Sequence, residues 1–389
     1  MNNKEVLEIK KQFTPENCSI TRICGCYVDY KKERKMESAS SFMSLPEEEA
    51  FKYFDLFKQT LSGAMGKKLL NIDFPLDQED EGGTQKFLLK LRDTKLKDDD
   101  LIGDFYNRVV ENYNFGENYY IVLIHGVYDV PGKASDGMRM SDASDTIYDY
   151  ILCSICPVTL AKAGLSYDGE NNCMVGRSRD WIVESPSKGF LFPAFNDRAS
   201  DIHSVLYFSK KPEDLQPGLI QELLGAEIPL SAGSQKETFN AVLSNTLGDD
   251  CDYTTVKNIH ENLNELILEN KEDPDPLEIT KGDMKRLLAQ SGVPEEKLVT
   301  FEEDFEIVAG EKTSLLASNV VAPKKFNIEM PDIVIKVNSE CADLIETKVI
   351  DNKRCLVIAI NDNIQVNGVD ISVTRDEDLV GADTAENDG

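Results

Sequence analysis

The sequence predicts an α+β fold in three parts: an N-terminal mixed domain with a largely antiparallel sheet, an acidic helical region and a small C-terminal β meander. Three patterns predict it. Strand-like apolar runs between residues 118 and 209 lack regular alternation with helices, which disfavours a doubly wound parallel sheet. Residues 212–310 have helical periodicity. Short strands separated by turn residues follow residue 323.

The length and composition allow more than one folded unit. The chain has 389 residues, of which 41% are hydrophobic and 29% are charged, an ordinary globular mixture. Two or three domains of usual size would each bury a core. We set the boundaries at 1–211, 212–310 and 311–374. Residues 375–389, which hold six acids and no apolar pattern, are predicted to be a disordered acidic tail.

The first elements are predicted from periodicity and turn chemistry. A helix near residues 4–12 precedes a strand at 20–28, and Lys31 to Lys35 are expected to form a solvated turn. Ser44 and Glu47, three residues apart, predict a capping box. The helix that it begins is expected to bury one stripe of apolar side chains: Phe51, Phe54, Phe57 and Leu61.

The middle of the first domain is predicted to be mainly strand. Residues 100–113 have helical periodicity, and 118–130 form a nearly continuous apolar run that suits a buried central strand. Further strands are predicted at 146–158, 173–176, 180–184 and 203–209.

The last third divides into helices and then strands. Two apolar stripes, at residues 256–267 and 298–308, predict amphipathic helices on either side of a charged, proline-containing connector at 269–278. Beyond residue 323, short apolar runs with Asn367-Gly368, a preferred type I′ turn pair, predict the β meander.

The charge distribution restricts the partners. The chain carries 42 Lys and Arg against 70 Asp and Glu, a net charge of −28. Residues 1–75 hold 12 basic and 11 acidic side chains, so the remainder carries −29 and would repel a phosphate backbone. Nucleic acid is therefore expected to bind only through residues 1–75, if at all, and we expect a protein partner instead.

The predicted location is the cytoplasm. The first residues contain no apolar core for a signal peptide, and no apolar run approaches the roughly 18 residues that suggest a membrane helix. Nine cysteines, an odd number over a long chain, fit reduced thiols better than a disulfide framework.

Cys153 and Cys156 carry the sharpest chemical pattern, because two thiolates separated by two residues can bind one tetrahedral metal ion. Zinc would need two further ligands, and no second pair of that spacing is present. A redox role is a second interpretation, although a strand would direct the two thiols to opposite faces. The third interpretation is that both are small buried core residues. No cofactor is predicted, and zinc is the alternative.

His125 follows an apolar run directly, at a position where strands often carry catalytic groups. It could act with Cys153 or Cys156 as a nucleophile pair, or be a structural histidine with satisfied hydrogen bonds. No motif of a nucleotide-binding loop, hydrolase elbow or zincin helix is complete in the sequence.

An aromatic segment is the candidate interaction surface. Trp181, the only tryptophan, precedes a stretch rich in phenylalanine. We predict that these side chains line a pocket or an interface, with core packing as the alternative. The predicted interaction residues are Trp181, Phe190, Phe192, Phe195 and Arg198.

Four segments carry a resemblance to a known family: RICGCYVD (22–29), LSGAMGKKLLN (61–71), CSICPV (153–158) and GFLFPAFNDR (189–198). In this order and spacing they resemble a bacterial family, domain of unknown function 4317, over nearly the whole chain apart from the acidic tail. The resemblance implies a cytoplasmic bacterial protein and supplies no activity, cofactor or catalytic residue.

These observations lead to one functional hypothesis with two alternatives. The first is a non-catalytic cytosolic protein that binds a protein partner. The alternatives are an enzyme that uses Cys153 or Cys156 with His125, and a nucleoid-associated protein.

Overall fold

The computed structural model describes residues 1–133, 139–140, 146–248, 251–310, 313–321, 325–360 and 364–371. It confirms the α+β class, with one large antiparallel sheet, separate helices and small C-terminal hairpins. The predicted acidic tail at 375–389 lies outside the described residues. The division into domains stays a prediction.

The large sheet has eight strands, all paired antiparallel. Its order is β2-β1-β4-β7-β11-β14-β3, and β10 pairs with the far end of β7. Up to residue 209 the described strands are β1 (Ile20–Val28), β2 (Arg34–Ser41), β3 (Leu69–Asp73), β4 (Tyr119–Val130), β5 (Gly132–Lys133), β6 (Arg139–Met140), β7 (Thr146–Leu160), β8 (Leu165–Asp168), β9 (Cys173–Gly176), β10 (Trp181–Val183), β11 (Lys188–Phe192), β12 (Ala194–Asn196), β13 (Ala199–Asp201) and β14 (Ser204–Ser209).

The two longest strands form the centre of the sheet. β4 and β7 pair in continuous register from Tyr119–Pro157 to Val130–Thr146. β4 is buried along nearly its whole length and β7 is buried through its middle, 150–156, as the apolar runs at 118–130 and 146–158 predict. The edge strand β2 was not predicted, because its sequence is polar and none of its side chains is buried. Only residues 29–33 form the expected turn before it.

Helices cover both faces of the sheet. One face packs on α1 (Asn3–Lys10) and α2 (Glu47–Thr60), and the other on α3 (Thr84–Asp93) and α4 (Asp99–Asn112). We call the two resulting clusters of buried side chains the α1–α2 core and the α3–α4 core. β4 and β7 contribute alternate residues to each cluster, so a residue's place in the strand fixes the core it enters.

Two details of α2 differ from the prediction. The residue before the helix is Pro46, which provides no side-chain cap, and the Ser44 hydroxyl donates to the Ser41 carbonyl 2.7 Å away. The capping box is wrong because Ser44 ends a short 3-10 turn, Phe42–Ser44, instead. Phe54, Phe57 and Leu61 are buried as predicted, whereas Phe51 is exposed, with its ring in an edge-type contact with that of Phe54.

The helical region has its own core. It contains α5 (Ala232–Leu247), α6 (Tyr253–Glu269), α7 (Lys281–Gln290), α8 (Glu295–Val299), α9 (Phe301–Ala309) and α10 (Ala317–Val320), with β15 (Glu278–Ile279) paired to β16 (Leu315–Leu316). The predicted helical stripes supply part of this core, including Ile259, Leu263, Phe301 and Phe305, and α5 and α7 supply further buried residues. Asn319 joins the region to the sheet by donating to the Gly66 carbonyl at 2.9 Å.

The C-terminal strands pair as three separate hairpins. These are β17 (Phe326–Met330) with β18 (Ile333–Val337), β19 (Ile345–Ile350) with β20 (Lys353–Ile358), and β21 (Ile364–Val366) with β22 (Val369–Ile371). Among the described residues each hairpin is its own two-stranded sheet, and together they form the small C-terminal β part of the predicted α+β fold. Asn367 and Gly368 both have positive φ, as the predicted type I′ turn requires.

Candidate functional site

The two candidate thiols of β7 do not meet. Cys153 is fully buried in the α3–α4 core, opposite Leu123 of β4. Cys156 is equally buried but lies opposite Tyr120, whose ring belongs to the α1–α2 core, so its thiol lies on the other face of the sheet. Burial raises the pKa of both thiols well above the ordinary value, which disfavours the thiolate needed for metal binding or nucleophilic attack.

Three other cysteines do not complete a zinc site with Cys153 or Cys156 either. Cys24 and Cys26 are buried in β1, and Cys173 is exposed on β9. In the part of the chain that the structure describes, no group of three or more His, Cys, Asp or Glu side chains is placed to hold a metal ion. The geometry of the described residues therefore gives no support to a zinc centre built on Cys153 and Cys156.

His125 lies instead in a row of hydrogen-bonded polar side chains, which the residues next to it in the sequence do not predict. The ring is completely buried; Nδ1 lies 2.6 Å from the Thr21 hydroxyl oxygen, and Nε2 lies 2.6 Å from Asp149 Oδ1. Thr21 also donates to the His125 carbonyl at 3.2 Å. Both ring nitrogens thus have partners in the protein, and neither partner is a cysteine.

A β-bulge brings Thr21 to this histidine. Ile20 pairs with Gly126 and Arg22 with His125, so Thr21 is the extra residue of β1. A bulge redirects a side chain that regular alternation would place on the other face. The sequence gives no signal for it, because the bulge depends on the register between strands about a hundred positions apart in the chain. A hydroxyl, an imidazole and a carboxylate in this order can share protons, and they can equally satisfy a buried histidine.

Three of the predicted interaction residues are core residues. Phe190 and Phe192 of β11 and Phe195 of β12 are at most 2% exposed. The Phe190 ring packs 6.2 Å from Phe105 of α4, and the Phe192 ring packs edge-on 5.6 Å from Phe74. Core packing, the alternative reading, accounts for these three side chains, and they present no surface to a partner.

Arg198 is tied to the protein itself. It lies in the turn between β12 and β13, and its guanidinium donates to Glu8 of α1 at 2.8 Å and to the Pro131 carbonyl at 3.0 Å. The bond to Glu8 raises the pKa of Arg198 above its ordinary value. The arginine holds this turn against α1.

Trp181 is the predicted interaction residue that is open to solvent, with 56% of its surface exposed. It begins β10, which pairs with Val158, Thr159 and Leu160 at the end of β7, where α2 no longer covers the sheet fully. Ile182 and Val183, the remainder of β10, are also exposed. An exposed strand of three consecutive large apolar residues is unusual in a monomer.

Two open grooves flank Trp181. The first has a volume of about 560 Å³ and lies between β10 and the β1 and β4 ends; the second, of about 510 Å³, lies between β10 and α2. Trp181 lines both grooves. We call it and the following apolar side chains, each of which lines one of the grooves, the Trp181 surface: Tyr27, Tyr53, Tyr120, Val158, Leu160, Ile182 and Val183.

The β8–β9 hairpin extends the apolar exposure. It projects from the chain between β7 and β10, and none of its residues is buried. Its large exposed side chains are Leu165, Tyr167, Met174 and Val175. Since both flanking segments of this hairpin are exposed, the whole stretch from β8 to β10 lies outside the two sheet cores.

Fold and site together define an α+β protein with a covered antiparallel sheet and one exposed aromatic edge. The family model of a domain of unknown function, DUF4317, matches residues 1–369, and the chain belongs to this family. No curated protein matches the chain.

Proposed function

We propose that this protein is a non-catalytic binding protein of the bacterial cytoplasm that contacts a protein partner through the Trp181 surface. The observation that carries the proposal is the exposure of Trp181, Ile182 and Val183 side by side on one strand. Aromatic side chains that are large, rigid and half exposed are the residues that most often dominate binding energy at protein interfaces.

The state of the candidate catalytic groups supports a non-catalytic role. Cys153 and Cys156 are buried on opposite faces, and His125 is held by Thr21 and Asp149. A nucleophile pair requires a thiol within hydrogen-bond reach of an imidazole beside an accessible cavity. The buried positions of these groups favour binding over turnover.

The cysteines support a reducing compartment. All nine cysteines are free, and four of them are buried. Free thiols in this number are usual where glutathione keeps proteins reduced. Among the described residues, no helix is both long and apolar enough to cross a membrane.

Affinity capture with matched variants tests the proposal. The wild-type chain, Trp181→Ala and Ile307→Ala are used as baits in a lysate of the native host. Ile307 is an equally apolar, exposed residue on α9 and serves as the control. We expect a stoichiometric partner that Trp181→Ala loses and Ile307→Ala retains. Equal recovery by all three baits, or no partner together with turnover in an activity screen, would contradict the proposal.

A further inference from the structure

We infer that the occupant of the Trp181 surface is an extended, basic segment of the partner protein, whose Arg or Lys side chains lie between the aromatic rings and the carboxylates that border the two grooves. This inference rests on the proposed function and specifies the chemistry of the partner. It depends on three independent features of the site: its aromatic rings, its charges and the open edge of β10.

The rings provide faces for a cation. Tyr27 and Trp181 line the first groove, and Tyr53 and Trp181 line the second, where the ring of Tyr120 is largely buried in the α1–α2 core. A guanidinium or ammonium group over such a ring gains about 0.5–2 kcal/mol, the more where water is excluded. The neighbouring Tyr30 already has this contact, with Lys31 Nζ 5.7 Å from its ring centre, so we leave Tyr30 out of the binding surface.

The charged residues that line the grooves are mainly acidic. Asp29 and Glu117 border the first groove, and Glu49 and Asp55 border the second, with Lys52 as the lining cation. Asp29 is paired with Lys35 at 3.3 Å. Within the described part of the chain, no ion pair is found for the exposed carboxylates of Glu49, Asp55 and Glu117, so they are available to a basic partner.

The open edge of β10 favours an extended segment. β10 pairs with β7 on one side, and among the described residues no strand pairs with its other side. An extended chain can add to such an edge by main-chain hydrogen bonds while alternate side chains enter neighbouring grooves. Apolar side chains of that segment would cover Ile182 and Val183, and basic ones would reach the carboxylates.

A second copy of this chain fits less well. Two molecules that each carry a net charge of −28 repel one another, and the same acidic borders would face each other across a symmetric contact. A basic segment relieves that repulsion, and its attraction to the acidic surface would speed encounter.

The only tryptophan of the chain reports on this surface directly. Tryptophan emission of the full-length protein is followed while a short synthetic peptide of alternating Arg and Val, free of aromatic residues, is added. The matched probe carries Gln in place of each Arg. We expect a saturable change in Trp181 emission with the Arg peptide, weakened by salt, and no comparable change with the Gln peptide.

Charge variants locate the contact. The double variant Asp55→Asn/Glu117→Gln removes one carboxylate from each groove and is expected to weaken binding of the Arg peptide by about three- to tenfold. Glu48→Gln, an exposed residue of α2 that lines neither groove, is the control and should bind as the wild type does.

The outcomes separate the inference from the proposed function. Equal binding of both peptides, or unchanged affinity of the double variant for the Arg peptide, would overturn the inference that the occupant is a basic segment. In that case, loss of the captured partner by Trp181→Ala would still support the proposed protein interaction. If neither peptide binds, the inference is overturned. If affinity capture also recovers no partner, both the inference and the proposed function are overturned.

Discussion

The strands β10 and β11 both pair with β7, only a few residues apart, and both are rich in large apolar side chains, yet one is exposed and the other is core. β11 has partners on both sides, β7 and β14, and helices lie over both of its faces. Among the residues that the structure describes, β10 has one partner strand, and α2 covers it only in part. Coverage by neighbours, and not composition, therefore decides whether an aromatic residue stabilises the fold or is free to bind.

This difference gives the two strands different energetic roles. Apolar side chains in β11 stabilise the folded state by leaving water, at roughly 25 cal/mol for each Å² of apolar surface buried. Side chains in β10 leave much of their apolar area in water, and that area would become buried when a partner binds. Substitutions in the two strands should therefore separate stability from binding.

Phe192→Ala should have the largest effect. Phe192 is completely buried in the α3–α4 core, and its replacement by Ala removes the ring and leaves a cavity, at a cost of about 4 kcal/mol. Urea unfolding followed by circular dichroism measures the loss. A cost below about 1 kcal/mol would mean that β11 is no better packed than β10 and would remove the comparison.

Lys188→Ala should cost about 3 kcal/mol, because it leaves buried acceptors without a donor. Lys188 begins β11, is 2% exposed, and donates to Ser209 Oγ at 3.0 Å and to the Asp214 carbonyl at 2.6 Å. The same unfolding measurement tests it. Lys188→Met, which keeps the volume of the side chain but has no donor, should lose nearly as much, and a much smaller loss would contradict the role of the hydrogen bonds.

Thr21→Val should cost about 1 kcal/mol, because the buried His125 nitrogen loses its hydroxyl partner. Thr21→Ser retains the hydroxyl and is the control. Thermal unfolding of both variants provides the comparison. If Thr21→Val were as stable as the wild type, the hydrogen bond between Thr21 and His125 would not stabilise the fold.

The stability contributed by Lys188 should depend on pH. Burial lowers the pKa of Lys188 from its ordinary value of 10.5. The unfolded chain therefore binds the Lys188 proton more tightly than the folded chain does. Stability then rises with pH between the lowered pKa and 10.5. The difference in unfolding free energy between wild type and Lys188→Met should therefore shift in favour of the wild type as the pH rises toward 10.5. A pH-independent difference would contradict this.

Trp181→Ala should have the smallest effect on stability, within about 0.5 kcal/mol, because the side chain is more than half exposed. Unfolding by urea at matched protein concentration measures it. A loss of several kcal/mol would show that Trp181 supports the sheet, and the boundary between stabilising and binding strands would then lie elsewhere.

Much of the sheet could be predicted from local pattern. The apolar run at 118–130 and the helical periodicity at 100–113 lie within a residue of β4 and α4 as observed, because burial on both faces or on one face leaves a direct trace in the sequence. The strand β2 has no such trace, since its pairing with β1 involves main-chain bonds and its side chains remain in solvent. A prediction based on hydrophobicity therefore misses edge strands of this kind.

The candidate site was harder to predict from the sequence than the sheet. The spacing of Cys153 and Cys156 suggested a shared ion, and the same spacing in an extended strand separates them, as alternation requires. The aromatic segment after Trp181 was predicted to line a pocket or an interface, with core packing as the alternative, because its composition does not distinguish a core from an interface. That distinction depends on β14 and the covering helices, which are supplied by other parts of the chain.

The sequence alone determined that residues 118–130 are extended, that residues 100–113 are helical and that the molecule is strongly acidic, because propensity, periodicity and charge are properties of neighbouring residues. The tertiary structure decided that Trp181 faces solvent while Phe192 does not, and that Thr21 and Asp149 reach His125. These outcomes depend on strand register and on which face another element covers, and both are set by contacts between residues far apart in the chain.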